Sequence, residues 1–238
     1  METLKDKNVL IVAATGGIGS HAAKLLAGSG AKLFLTGRNA DKLAAIAASC
    51  NVPVERTFAL DISQPEAVNE LKEKYFSQLP GIDILINAAG IGIIKSIDTL
   101  TETDFLRSLN YNLYAPFLLV KAFLPSMKET KKGLIINIPG VLGKVPMAGA
   151  AAYSASKYGL VGMMQSIREE LKRTDIRITN LFLGGTDSPF WDTIDLKVQR
   201  EKMVKAEEAA KAIWFLCQQP ASGVVSEMVL QPFNHQAI

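Results

Sequence analysis

Lys7-Asn8-Val9-Leu10-Ile11-Val12-Ala13-Ala14-Thr15-Gly16-Gly17-Ile18-Gly19 sets the fold. Its first half is a short apolar run rich in Val and Ile, the pattern of a parallel strand buried on both faces. Gly16, Gly17 and Gly19 then break it. A helical stretch follows from about Ile18 to Ala27 and stops at Gly28 and Gly30. Glycines at such a turn let the backbone approach a pyrophosphate, and the helix start behind them offers free N–H groups and partial positive charge. A glycine cluster alone also fits a plain tight turn. Its place between a buried strand and a helix favours nucleotide binding by Ala13, Thr15, Gly16, Gly17, Ile18 and Gly19.

Outward from this turn, strands and helices alternate. Strands are expected at Lys32–Thr36, Val52–Leu60, Ile82–Asn87, Gly133–Ile138, Ile176–Leu183 and Val224–Leu230. Helices are expected from Asn39, a good N-cap, to Ala48; from Ser63, with Pro65 and Glu66 in the first turn, to Gln78; over Thr103–Lys128, Ala151–Arg173 and Glu207–Gln218. Alternation of this kind implies βαβ units: an α/β, Rossmann-type, doubly wound and mostly parallel seven-stranded sheet with helices on both faces. We expect one domain spanning 1–238, with a short lid at about 188–205. Ligands of such sheets sit at the carboxyl ends of the strands.

The second strand ends Leu35-Thr36-Gly37-Arg38-Asn39. A carboxylate there would bond a ribose 2′-hydroxyl and favour NAD, whereas an Arg suits the 2′-phosphate of NADP. The acid is absent and Arg38 stands just past its place. Arg38 otherwise reads as a solvated surface residue. NADP(H) is expected in preference to NAD(H).

The chain resembles the short-chain dehydrogenase/reductase family from about Lys7 to Leu230. The resemblance rests on the glycine loop, Leu60-Asp61-Ile62, Asn87-Ala88-Ala89-Gly90, Tyr111-Asn112-Leu113, Tyr153-Ser154-Ala155-Ser156-Lys157 and Leu183-Gly184-Gly185-Thr186, in that order. It implies that Asp61 and Ile62 contact the adenine and that Asn87, Ala88, Ala89 and Gly90 line its ribose. Gly184, Gly185, Thr186 and Ser188 would hold the nicotinamide and phosphates. Asn112, Tyr153 and Lys157 would be catalytic, Tyr153 and Lys157 also meeting the cofactor.

The spacing supports this chemistry independently. Tyr153 and Lys157 share one face of a helix. An adjacent ammonium, with the positive oxidised nicotinamide, would stabilise a tyrosinate and bring Tyr153 toward acid–base work near neutral pH. In reduction Tyr153 would protonate the developing alkoxide; the resemblance gives Lys157 a bond to the ribose and Asn112 a water chain.

Five positions depart from the family pattern. Gly140, thirteen residues before Tyr153, stands where the family carries a serine that bonds the substrate carbonyl. Val12-Ala13 replaces Thr-Gly, and Ala13 fits only with a negative φ. Ala88 replaces an Asn, and Leu183 a Pro.

Two functions compete. The first is an NADP(H)-dependent oxidoreductase interconverting a carbonyl and an alcohol, with Tyr153 as general acid/base. The second is a catalytically impaired NADP(H)-binding sensor or scaffold, favoured by Gly140. A purely structural role is disfavoured by the complete cofactor signature. Phe190, Trp191, Ile194 and Met203 either line an apolar substrate pocket or pack the lid.

The remaining composition sets limits. Net charge is +3, from 26 basic and 23 acidic residues, too weak and too dispersed to suggest nucleic acid or an anionic membrane. No apolar run reaches the ~18 residues of a membrane span, and Met1–Lys7 lacks the apolar core of a signal peptide. Cys50 and Cys217 lack metal-ligand spacing and read as apolar fillers of a reducing compartment, so a cytoplasmic location without a metal site is expected. His21 and His235 read as incidental. Asn112–Met127 and the helix from Ala151 carry more apolar surface than one sheet face should cover; with the resemblance, this implies a homodimer or homotetramer.

Overall fold

The computed structural model describes residues 2–220 and 222–234; His235 lies outside them. Seven parallel strands form the central sheet: β1 (Asn8–Val12), β2 (Lys32–Gly37), β3 (Thr57–Ala59), β4 (Ile84–Asn87), β5 (Lys132–Asn137), β6 (Asp175–Leu183) and β9 (Glu227–Leu230). Their order is β3-β2-β1-β4-β5-β6-β9. Two short strands pair separately: β7 (Thr186–Asp187) just precedes the expected lid, and β8 (Val204–Lys205) forms its last two residues.

Seven helices are described: α1 (Gly17–Gly28), α2 (Ala40–Ser49), α3 (Pro65–Gln78), α4 (Glu102–Leu109), α5 (Ala115–Thr130), α6 (Ala151–Glu170) and α7 (Ala206–Leu216). The strands alternate their side chains between two cores. One face buries Ile11, Leu35, Ile86 and Ile136 against α1, α2 and α7. The other buries Leu10, Phe34, Leu85 and Ile135 against α3, α5 and α6, with Tyr75 and Phe123 packed edge to face. Burial on both faces explains why these strands read as continuous apolar runs.

Several boundaries differ from the sequence reading. The third strand shrinks to three residues because Pro53 leads into a 3₁₀ turn at Val54–Arg56. Gln64, not Ser63, caps α3, with Pro65 at its start. Asn39 caps α2 as expected, accepting from Lys42 N at 2.8 Å. The expected helix over Thr103–Lys128 is two helices joined by a π turn at Asn110–Tyr114. An inserted residue of this kind rotates the flanking helix faces and is frequent at functional sites.

Ala13 also departs from expectation. Its φ is 62°, in the left-handed region, where the sequence argument required a negative value. The turn fixes it from both sides. Gly16 N donates to Ala13 O at 3.0 Å, and Ala14 N donates to Thr36 O at 2.7 Å. The surrounding backbone therefore holds alanine in a conformation that costs an L-residue about 1–2 kcal/mol.

Candidate active site

The carboxyl ends of β1, β4, β5 and β6 open onto a cleft of about 520 Å³. Gly17–Gly19 line one end, Ala88–Gly90 the floor, Gly184–Thr186 and Ser188 one side, and Tyr153 and Lys157 the far end. The helix start at Gly16–Gly17 receives no side-chain cap, and its first turn carries no acidic residue. Uncapped N–H groups and partial positive charge thus face the cleft, as an anionic pyrophosphate requires. The glycines are needed for proximity. A β-carbon on Gly17 would lie 2.9 Å from Ser188 Cβ, and one on Gly19 would lie 2.4 Å from Ala13 O. This cradle fits a dinucleotide.

At the β2 end, Thr15 packs directly over Gly37: a β-carbon there would lie 2.7 Å from the Thr15 hydroxyl oxygen. Arg38 is exposed beside it, its guanidinium carbon 5.8 Å from the centre of the Tyr111 ring. Tyr111 donates its hydroxyl to Asp61 Oδ2 at 2.7 Å, and Ser63 N donates to Asp61 Oδ1 at 3.0 Å. Burial pushes the Asp61 carboxyl up. The Ser63 and Tyr111 hydrogen bonds and the Arg38 charge outweigh it, and Asp61 lies below the usual range. Ile62 is buried under the same corner.

The π turn delivers Asn112 to the centre of the molecule, fully buried. Its Oδ1 accepts from Ile91 N at 2.9 Å. Its Nδ2 lies within bonding distance of Ile91 O at 3.0 Å and of the Ser156 and Ser108 hydroxyls at 3.1 and 3.3 Å. The side chain thus ties the loop after β4 to α6. Gly90 lies against it: a β-carbon there would stand 3.1 Å from Asn112 Oδ1 and 3.2 Å from Lys157 Nζ. Asn87 donates to Asn137 Oδ1 at 3.4 Å across paired strands.

Tyr153 and Lys157 share the inner face of α6. Lys157 is 2% exposed; its Nζ donates to Ile138 O at 3.2 Å and lies 5.5 Å from the centre of the Tyr153 ring. Burial lowers Lys157 to about 8. Burial also raises Tyr153, whose ring stays partly open to the cleft. The sequence argument expected the ammonium to lower this phenol. In the protein alone desolvation dominates; Lys157 donates to Ile138 O, and its ammonium lies 5.5 Å from the ring centre.

Gly140 adopts φ 73°, ψ 168°, conformations open mainly to glycine. A β-carbon there would lie 3.8 Å from the Tyr153 hydroxyl and 3.4 Å from Leu183 O. The walls beyond are apolar. Phe190 meets the Tyr153 ring at 6.0 Å between centres, and Trp191 packs edge-on to Phe190. Trp191 donates its indole N–H to Thr186 O at 2.9 Å. Met203 also lines the cleft, whereas Ile194 packs over Gly92. Sequence reasoning missed Ser108, Ser156 and Ile91, which hold Asn112, and Ile138, which holds Lys157. Ser108 was legible at one helical turn from Asn112 and Ser156 inside the Tyr-Ser-Ala-Ser-Lys run; the backbone partners carry no sequence signal.

Fold and cleft together define a dinucleotide-binding α/β oxidoreductase. The chain belongs to the short-chain dehydrogenase family, whose model matches residues 7–199. An uncharacterized oxidoreductase of Staphylococcus saprophyticus is 31% identical over 235 residues, covering 98% of this chain and all of that protein. An alcohol dehydrogenase from the archaeon Thermococcus sibiricus, solved with 5-hydroxy-NADP, superposes with a TM-score of 0.88 at 26% identity, over 98% of this chain and all of its own. A metagenomic short-chain oxidoreductase in complex with NADP gives a TM-score of 0.83 at 29% identity, over 97% of this chain and 99% of its own. Among the described residues, no helix is long and apolar enough to cross a membrane, and no group of three His, Cys, Asp or Glu could hold a metal.

Proposed function

We propose that this protein is an NADP(H)-dependent oxidoreductase interconverting a carbonyl and an alcohol, with Tyr153 as general acid/base. The observation that carries the reading is the convergence of Tyr153, Lys157 and the uncapped start of α1 on one cleft. Thr15 and Arg38 support NADP(H) over NAD(H), because a hydroxyl and a guanidinium flank the corner where a 2′-phosphate would lie. Both solved relatives described above hold NADP-type cofactors.

Bound nicotinamide supplies or accepts the hydride. The chain's own part is proton transfer and positioning. Tyr153 is protonated at neutral pH, as an ordinary phenol is, and would give its proton to the alkoxide formed on reduction; burial holds it above its ordinary range, so the resulting tyrosinate depends on nearby positive charge. Lys157 supplies positive charge beside the resulting tyrosinate. Asn112 fixes the loop after β4 against α6. Asp61 and Ile62 bound the adenine corner, Asn87–Gly90 the ribose, and Gly184–Thr186 with Ser188 the nicotinamide end. Residues 188–205 serve as the lid within a single domain.

Gly140, in place of the family's serine, favours the second reading, an impaired NADP(H)-binding sensor or scaffold. Retention of Asn112, Tyr153 and Lys157 favours turnover. The test is NADPH and NADH oxidation over a broad panel of ketones and aldehydes. Turnover preferring NADPH supports the proposal; tight NADPH binding without turnover of any carbonyl supports the sensor. A homo-oligomer is also proposed. Leu106 on α4, Phe117 on α5 and Tyr158 on α6 are 56%, 40% and 45% exposed, large apolar side chains that a second copy would cover. A monomeric mass at micromolar concentration would contradict it.

A further inference from the structure

We infer that the substrate is a bulky, uncharged, apolar carbonyl or alcohol, and that the cleft rejects substrates bearing a carboxylate or phosphate. The inference rests on the oxidoreductase reading and concerns the part of the cleft beyond Tyr153. There the walls are Ile94, Val145, Met147, Phe190, Trp191 and Met203, drawn from three separate loops. Among the described residues lining the cleft, Lys157 is the sole ionic side chain, and it stands at the Tyr153 end, 5.5 Å from that ring's centre and donating to Ile138 O at 3.2 Å, not among these walls. Two polar groups beside the walls are engaged with backbone carbonyls. Trp191 Nε1 donates to Thr186 O, and the Thr186 hydroxyl donates to Gly184 O at 3.0 Å.

The lid is not short of charge, but it turns that charge away from the cleft. Asp187 pairs with Lys205 at 3.3 Å and with Arg200 at 3.9 Å, and Arg200 also pairs with Asp192. None of these four residues lines the cleft. A substrate carboxylate seated against these walls would therefore lose its water and meet no cationic side chain there, while an alkyl or aryl group would lose only unfavourable hydration. Gly140 adds to this. Where a serine would offer a hydroxyl, the nearest polar neighbour of the missing β-carbon, at 3.4 Å, is the carbonyl oxygen of Leu183, an acceptor that repels an anion.

The test is calorimetric titration of the full-length protein. NADP⁺ is titrated first. Absence of NADP⁺ binding defeats the oxidoreductase reading itself, before any carbonyl is added. The NADP⁺-loaded protein is then titrated with 4-ethylacetophenone and with 4-acetylbenzoate, similar in shape and different in charge. The neutral ketone is expected to bind at least ~30-fold more tightly, the scale on which an unpaired buried polar group is penalised. Met147 is 38% exposed at the rim, where a long side chain is tolerated. Met147→Arg is expected to tighten 4-acetylbenzoate binding about threefold or more without improving the neutral ketone, as a partly solvated ion pair would. Equal or tighter binding of the acid to the wild type overturns the inference while leaving the reading intact. So does failure of the neutral ketone to bind the NADP⁺-loaded protein.

Discussion

A β-carbon placed on Gly140 would lie 3.8 Å from the Tyr153 hydroxyl. A serine there could set its own hydroxyl beside that of Tyr153, but only by adopting the backbone's φ of 73°. Two opposed effects are therefore expected of Gly140→Ser. Stability falls by about 1–3 kcal/mol, the cost of a non-glycine residue in this region. Turnover rises ~10-fold or more, as a hydroxyl donor to the carbonyl oxygen would allow. Thermal melting and kcat/KM on one ketone measure both. Lost stability with no gain in rate would mean that the carbonyl oxygen lies out of reach of position 140.

Ala13 stores strain of the same kind. With φ at 62°, Ala13→Gly relieves a left-handed conformation. The gain is offset in part by the greater freedom of glycine in the unfolded chain. A net stabilisation of about 0.5–1 kcal/mol is expected by chemical denaturation, with NADPH affinity preserved. A destabilised variant would show that the turn does not impose this geometry in solution.

Lys157 imposes a pH dependence. Burial lowers it from 10.5 to about 8, so the unfolded chain holds this proton more tightly than the native protein does. Below pH 8 both states are protonated and the full cost of the buried charge is present. Between pH 8 and 10.5 the unfolded state binds more protons, so this group makes stability rise with pH. Lys157→Met removes the cost. It is expected to be more stable than wild type at pH 7, by roughly 3 kcal/mol at most, and the difference should shrink toward pH 10. A difference independent of pH would contradict burial of the charge.

Tyr111 and Arg38 are expected to contribute separately to cofactor binding, Arg38 alone to the choice between NADPH and NADH. Arg38→Ala should weaken NADPH roughly 10–100-fold, through loss of a charge-assisted phosphate contact, and leave NADH nearly unchanged. Tyr111→Phe keeps the ring under Arg38 but strips Asp61 of its 2.7 Å donor. It should weaken both cofactors by a similar factor of a few, since a single hydrogen bond at a partly exposed site is worth about 1 kcal/mol. Equal effects of Arg38→Ala on the two cofactors would defeat the assignment of the phosphate corner.

The sheet was legible because its strands are buried on both faces and punctuated by glycine, asparagine and proline. Gly16–Gly19, Tyr153 and Lys157 were legible because fixed spacing on a strand–turn–helix unit fixes their position. The break at Asn112 was not. A π turn adds one residue to a helix without a composition signal, so Thr103–Lys128 read as continuous. The third strand was overread because β-branched Val52 and Val54 resemble strand residues, while Pro53 between them starts a turn. Ile94, Val145 and Met147 come from loops, where no periodicity marks a side chain as facing the cleft. The upward shift of Tyr153 comes from its burial, which the spacing of Tyr153 and Lys157 does not announce.

The central claim is that Tyr153 transfers the proton in an NADP(H)-dependent carbonyl reduction. Its most direct test is kcat/KM for reduction of one ketone by NADPH, in wild type and Tyr153→Phe, with NADPH affinity measured on both. Loss of the phenolic hydroxyl should lower kcat/KM ~10²–10⁴-fold, the range for a general acid, with NADPH affinity within a few-fold. Reduction at an unchanged rate in Tyr153→Phe would contradict the account.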